Sequence, residues 1–345
     1  MTSSLTCRSA SDTNFDLVVL GEVLLRFDPG DHRIRSARTF TVSEGGGEYN
    51  VGRALRKVFG KRVALATAIG DNELGLLLED LLQQGGLNLD VVVHKPADEV
   101  GHLHRNPTYF AERGFGVRAP RAMYDRASTA SSLLHPDDID WDHIFGNVGV
   151  RWFHTGGIFA GLSDLTASTV KTAMSAAKRH GTIVSYDINY RPALWNASSH
   201  ASDGMEVVKE LAENIDVLFG VQDVNDLSFL RSSVDSPVPS IVATTERTIE
   251  SASVHNLAGH LWSEETGQIS SHRYTGIDVF DRIGSGDAFA SGIVNSLLDG
   301  LAVSEALEIG VAHALLAMTT PGDTSSADVD DIERIVKRLP PEISR

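Results

Sequence analysis

A single cysteine, Cys7, excludes any internal disulfide, and its polar N-terminal surroundings fit a reducing cytoplasm. No run of about 18 apolar residues occurs, so no transmembrane helix is expected. Residues 1–14 lack an apolar core, so no secretory signal is expected, and this stretch reads as a mobile tail. Positive charge is scarce: 30 Lys and Arg face 46 Asp and Glu, a net charge of −16. That balance disfavours nucleic-acid and anionic-membrane partners, and an anionic substrate must be met by locally placed Arg or Lys. The histidines show no metal-ligand spacing and read as surface or core residues. Ser163 and Ser291 lack the G-x-S-x-G setting of a hydrolase nucleophile. The first turn, Gly21-Glu22-Val23 running on to Arg26, lacks G-x-G-x-x-G, which argues against a dinucleotide-dependent oxidoreductase.

What remains is an ordinary globular composition: 345 residues, 42% apolar and 22% charged, without an internal repeat. Short apolar runs at 16–22, 62–70, 152–155, 181–187, 217–220 and 240–245 read as buried strands. Helical spacing is expected over 50–59, 73–84, 165–179, 287–298, 303–318 and 329–338. Residues 33–42 alternate weakly, as an edge strand would, and a hairpin is expected near 255–271. Between 100 and 132 the alternation breaks into short strands at 102–104, 108–113 and 121–126, divided by Gly114, Gly116 and Pro120. We expect one α/β domain over 15–345, a parallel sheet sandwiched by helices, with a small sheet covering the site. Ligands then bind beyond the carboxyl ends of the strands.

Two glycine-rich turns carry the chemistry. In Asp281-Arg282-Ile283-Gly284-Ser285-Gly286-Asp287 the turn opens a helix, whose free N–H groups and dipole favour an anion, usually phosphate. Asp287 would repel that phosphate unless it takes a proton from an attacking hydroxyl. The bland alternative is a tight turn capped by Asp. The other turn, Glu44-Gly45-Gly46-Gly47-Glu48-Tyr49-Asn50, also feeds a helix.

Together, in this order and this far apart, the two segments resemble the signatures of the ribokinase-like (PfkB) carbohydrate kinases, from about Asp16 to Val336. The resemblance implies a three-layer α/β/α sandwich with a mainly parallel sheet and a β-sheet lid drawn from about 22–40 and 100–130. It implies Asp287 as base and the N–H groups of Gly284, Ser285 and Gly286 as an anion hole. It implies ATP and Mg²⁺ as cofactors, with Thr244, Asp281 and His313 on the nucleotide side beside Gly284 and Gly286. A homodimer through the lid sheet is an expected partner arrangement.

The string Asp187-Ile188-Asn189-Tyr190-Arg191-Pro192-Ala193-Leu194-Trp195 is similar to the 2-keto-3-deoxygluconate kinase branch, as is 317–323. That likeness implies sugar-acid contacts from Arg191 and Asp187, from Tyr109, Tyr124 and Arg126 on the lid, and from Gly45, Gly46 and Asn50. The competing readings are a turn cap for Asp187 and Asn189, sheet packing for the tyrosines, solvent for Arg126, and a helix cap for Asn50. Glu22, Arg26 and Asp28 are further candidates for the pocket or its rim.

Three departures stand out. Arg282 and Ser285 replace the family's usual Thr and Ala, and Arg282 either adds charge near the phosphates or points to solvent. Val221 and Val224 stand where an N-x-x-E string usually helps to place Mg²⁺, leaving Asp223 or Gln222 to act through water. The readings therefore number three: a 2-keto-3-deoxy sugar acid kinase, a neutral-sugar kinase of the same family, or a sugar-acid binder with degraded catalysis.

Overall fold

The computed structural model describes residues 5–98, 100–197, 204–224 and 238–340. In chain order the elements are β1 (Phe15–Leu20), β2 (Leu24–Asp28), β3 (Thr41–Gly45), α1 (Gly47–Lys57), β4 (Val63–Asp71), α2 (Glu73–Gly85), β5 (Val92–Pro96), β6 (Thr108–Glu112) and β7 (Arg121–Asp125). A π-helical turn (His143–Gly149) leads to β8 (Val150–Gly156), α3 (Gly157–Ala160), α4 (Asp164–Arg179), β9 (Ile183–Asp187), α5 (Pro192–Ala197), α6 (Gly204–Leu211) and β10 (Val217–Phe219). The chain ends with β11 (Ile241–Ser251), β12 (Val254–Ser263), β13 (Gly267–Ser270), β14 (Tyr274–Asp278), α7 (Ser285–Leu298), α8 (Val303–Ala317) and α9 (Val329–Val336).

The large sheet runs β13-β12-β11-β10-β9-β8-β1-β4-β5, with β14 also paired to β12. Every pairing from β5 across to β11 is parallel, and the β11–β14 edge is antiparallel. Side chains alternate across a strand, so β1 sends Leu17 and Val19 into one core and Val18 and Leu20 into the other. The first core is closed by α1, α2, α7 and α8, the second by α4 and α6. That double burial is why the parallel strands read as continuous apolar runs.

A second, four-stranded sheet runs β3-β2-β6-β7. Phe27 and Phe110 stack at 5.0 Å, and Phe40 packs edge-on to Phe110 at 5.5 Å. Gly116, in the β6–β7 turn, exchanges hydrogen bonds of 2.9 Å with Ala252 N–H and Ser253 Oγ at the tip of the β11–β12 hairpin. The small sheet is therefore pinned to the large one.

Several expectations need correction. Residues 33–42 hold a 3₁₀ turn (Ile34–Ser36) rather than an edge strand, which begins only at Thr41. Residues 102–104 form bends; the His104 ring binds Pro96 O at 2.7 Å and its φ is +41°, incompatible with a strand. Leu5 to Asn14 are docked and not free: Arg8 donates to Phe145 O (2.6 Å), Arg151 donates back to Arg8 O (3.0 Å), and Leu5 and Cys7 pack on the first core. Ser163, barren as a nucleophile, caps α4 by accepting from Thr166 N–H. No helix among the described residues is long and apolar enough to cross a membrane.

Candidate active site

The carboxyl ends of β1, β8 and β9 and the amino ends of α1 and α7 converge on one cleft. Gly47, Glu48, His154, Gly156, Asp187 and Asp287 are among its lining residues. Two glycines make the convergence possible. Gly46, the N-cap of α1, has φ +145°, and a Cβ there would strike the Glu22 carbonyl. Gly284, the N-cap of α7, has φ +80°, and its Cβ would strike the Asp323 carbonyl. Both helices thus aim their free N–H groups at the cleft. Within α7 the first N–H to close is that of Ala288, on Gly284 O at 2.9 Å, while the Ser285 N–H makes only a long turn bond of 3.4 Å to Arg282 O. Over Gly286 there is open space, as a phosphate needs.

Asp287 occupies the first turn of α7, and Asn50 Nδ2 donates to its Oδ2 at 2.6 Å. Burial pushes the Asp287 carboxyl up to about 8, with the charges of Asp187 and Asp323 adding to it against the Asn50 bond and Arg191. Glu48, folded against Gly21, is likewise pushed to about 8 by burial and by Asp287, Asp187 and Glu22. Burial raises Asp187 to about 6, against the Asn189 N–H (3.1 Å) and Arg191. The turn-cap reading of Asp187 and Asn189 thus holds, and it leaves Asp187 facing the same cleft. Glu22 is raised by burial and opposed by Arg126, 2.9 Å away. Glu22 Oε1 and Asn50 Oδ1 are buried without a hydrogen-bond partner. Asp187, Glu48 and Asp287 line the cleft, with Glu22 and the Asn50 amide oxygen buried behind them; the two carboxyls raised to about 8 keep a proton at neutral pH and donate as well as accept, which suits the hydroxyls of a polyol.

Cationic groups lie on the other side. Arg191, beyond β9, is close enough to bias Asp187 and Asp287. Arg247 on β11 has its pKa lowered by burial, then by Arg282 and Arg191. Among the described residues no carboxylate pairs with Arg191, Arg247 or Arg282, in a chain of net charge −16. Arg282 is exposed beside the glycine turn, near enough for its charge to act on Arg247. Arg247 and Glu48 escaped the sequence reading. The signal for Glu48 was an acid in the first turn of a glycine-led helix; Arg247 on a strand carried none.

Other assignments are corrected. His313 is fully buried between α7 and α8, shares a 3.0 Å bond with Ser291 Oγ, packs on Phe59 at 5.5 Å, and burial lowers its pKa to about 4. It is a core histidine with no nucleotide face. Asp281 is sealed against Arg26 and accepts the Ile283 N–H at 3.1 Å. Arg26 is wholly buried, so neither it nor Asp28, its neighbour at 3.2 Å, reaches a sugar. Tyr109 is 2% exposed and its hydroxyl is taken by Asp323, leaving Tyr124, stacked on it at 5.3 Å, as the accessible lid ring. Arg126 lies 4.4 Å over Tyr124 and is already paired with Glu22. A Cβ on Gly45 would meet Asp323, so this glycine, the last residue of β3, lies directly against that carboxylate. Thr244 donates to Val221 O at 2.7 Å, tying β11 to the strand-end loop.

Val221 and Val224 are packed in the second core. Among the described residues no cluster of three His, Cys, Asp or Glu side chains can hold a metal. An ion delivered by the nucleotide needs no protein cage, because Mg²⁺ keeps much of its hydration shell. Asn225 and Asp226 lie outside the described residues.

The profile of the pfkB family carbohydrate kinases matches residues 14–330. A 2-dehydro-3-deoxygalactonokinase from Haloferax volcanii is 28% identical over 324 residues, covering 93% of this chain and 96% of that protein. The crystal structure of a 2-dehydro-3-deoxygluconokinase from Thermotoga maritima superposes with a TM-score of 0.81 at 28% identity, over 93% of this chain and 99% of that one. A putative ribokinase II from E. coli, solved with ATP and Mg²⁺, shares the fold at 16% identity and a TM-score of 0.75, over 94% and 99% of the two chains.

Proposed function

We propose, from the premise that the chain belongs to the pfkB family of carbohydrate kinases, that it phosphorylates 2-keto-3-deoxygluconate or its galactonate epimer at the primary hydroxyl, with MgATP as co-substrate. The observation that carries this reading is Asp287, held by Asn50 in the first turn of a glycine-led helix. The C6 hydroxyl attacks the γ-phosphorus in line, the bond to the bridging oxygen breaks, and Asp287 takes the hydroxyl proton. The N–H groups of Gly284, Ser285 and Gly286 receive the charge that develops on the transferred phosphoryl group. Arg247 and Arg282 neutralise the nucleotide phosphates. Glu22, Asp187 and Asn50 accept from the sugar hydroxyls, the protonated Glu48 exchanges hydrogen bonds with them, and Arg191 pairs with the carboxylate. Magnesium enters as part of the nucleotide and supplies charge neutralisation on the phosphates. The names of the Haloferax and Thermotoga relatives support a 2-keto-3-deoxy acid. The exposed edge strand β7, with Met123 and Tyr124 half exposed, supports pairing of two lids in a homodimer.

One observation favours a neutral sugar instead: Arg126 is already held by Glu22 at 2.9 Å and so is not free for a sugar carboxylate. A coupled ADP-release assay decides between them. Turnover confined to the 2-keto-3-deoxy acids is the expected result. Turnover on fructose or ribose alone would discard the carboxylate contact and keep Asp287. Sugar-acid binding without turnover would leave a binder with degraded catalysis.

A further inference from the structure

Arg26 is among the largest fully buried side chains of the protein, and it faces three acids from distant parts of the chain. Its Nη1 donates to Asp323 Oδ1 at 2.5 Å; its Nη2 donates to Asp28 Oδ2 at 3.2 Å and to Asp281 Oδ2. A buried charge must be paired, and the flat guanidinium fork suits several carboxylates at once. These partners are not arbitrary. Asp281 heads the glycine turn and holds the Ile283 N–H at 3.1 Å. Asp323 supplies the carbonyl against which Gly284 rests. Arg26 lies on β2 and faces Tyr109 of β6, whose hydroxyl also donates to Asp323. Of the two central strands of the small sheet, β2 therefore reaches both residues that frame the turn and β6 reaches Asp323.

We propose that Arg26 is a positioning residue for the anion hole: from the lid it fixes Asp281 and Asp323, and through them the direction of the Gly284–Gly286 N–H groups. The inference rests on the reading of that turn as the phosphoryl site. Without the guanidinium, Asp281 and Asp323 lose their cation, Asp28 keeps only Arg113 at 3.5 Å, and the turn loses its anchor on one side. An error of about 1 Å in such a site costs on the order of 100-fold in rate. The loss falls on the transition state, where the N–H groups act, and spares ground-state binding. Arg26 also borders a cavity of about 60 Å³ shared with Arg113, Phe280 and Ile283.

The test is steady-state kinetics on Arg26→Met, Arg26→Lys, Arg26→Ala and Asp281→Asn, each with its folding checked by circular dichroism and thermal melting. For the folded Arg26 variants kcat should fall about 100-fold, with both KM values within about threefold of wild type. Lysine should recover little, because one ammonium cannot bridge three carboxylates in a plane. Added guanidinium should restore part of kcat in Arg26→Ala and leave wild type unaffected. Asp281→Asn keeps the shape and removes one of three acids around one cation, so it decides the matter if the Arg26 variants do not fold; its kcat should fall about 10-fold at unchanged KM. A purely structural Arg26 would lower the melting temperature and leave kcat per folded molecule unchanged, and that result overturns the proposal. Wild-type silence on every sugar would sink the kinase reading and this inference together, whereas an active wild type with equally active variants sinks this inference alone.

Discussion

Asn50 Nδ2 donates to Asp287 Oδ2 at 2.6 Å, joining the first turns of two helices whose residues are 237 positions apart. The bond favours the ionised carboxylate, against the burial that raises it. Asn50→Ala should therefore push the Asp287 pKa higher and lower turnover at neutral pH by about 10-fold or more, partly recovered at higher pH. A flat ratio of wild-type to variant kcat across pH 6–9 would count against this coupling.

Asp287→Asn should keep the binding of sugar and nucleotide and lower turnover by about 100-fold or more, the scale of a positioned base. Isothermal titration beside the rate assay separates the two. Near-wild-type turnover removes Asp287 from the role of base.

The pKa of Glu48 is raised to about 8 in the folded protein, from an ordinary value of about 4.3. A raised carboxyl binds its proton more tightly when folded. Its contribution to stability is thus full below about pH 4 and is lost as pH rises to about 8. Glu48→Gln cannot ionise, so its melting temperature should match wild type near pH 4 and exceed it above pH 8. A stability difference independent of pH would mean that Glu48 does not titrate in this window.

Arg191 and Arg247 sit on the same cationic face, yet their expected tasks differ. Arg191→Ala should raise KM for the 2-keto-3-deoxy acid by about 30-fold and leave ATP nearly unaffected. Arg247→Ala should raise KM for ATP by about 10-fold and leave the sugar unaffected. Equal loss for both substrates in Arg191→Ala would assign it to the phosphates or to the scaffold.

Ser291→Ala strands the buried His313 ring and should cost about 1–3 kcal/mol of stability. Its KM for ATP should stay at the wild-type value, because the ring is enclosed between α7 and α8. A raised KM for ATP would return His313 to the nucleotide site.

The sequence alone determined the alternation of buried strands and helices, because parallel strands are apolar on both faces and helices repeat every 3.6 residues. It also marked both glycine turns and Asp287, since a glycine turn before a helix is a local signal that no packing can hide. Tertiary structure decided what each polar side chain faces. Arg26, Asp281 and Tyr109 carried the marks of a ligand site, and folding turned all three inward on Asp323 and on one another. Nothing local marked Arg247, and Glu48 stood only as an acid after a glycine turn; folding brought them to the cleft and its cationic face. His313 lay at helical spacing beside small residues, and only the crossing of α7 over α8 made it a core group. Local propensity acts over a few residues, whereas the pairing of charges depends on contacts as much as 297 positions apart, which no local pattern encodes.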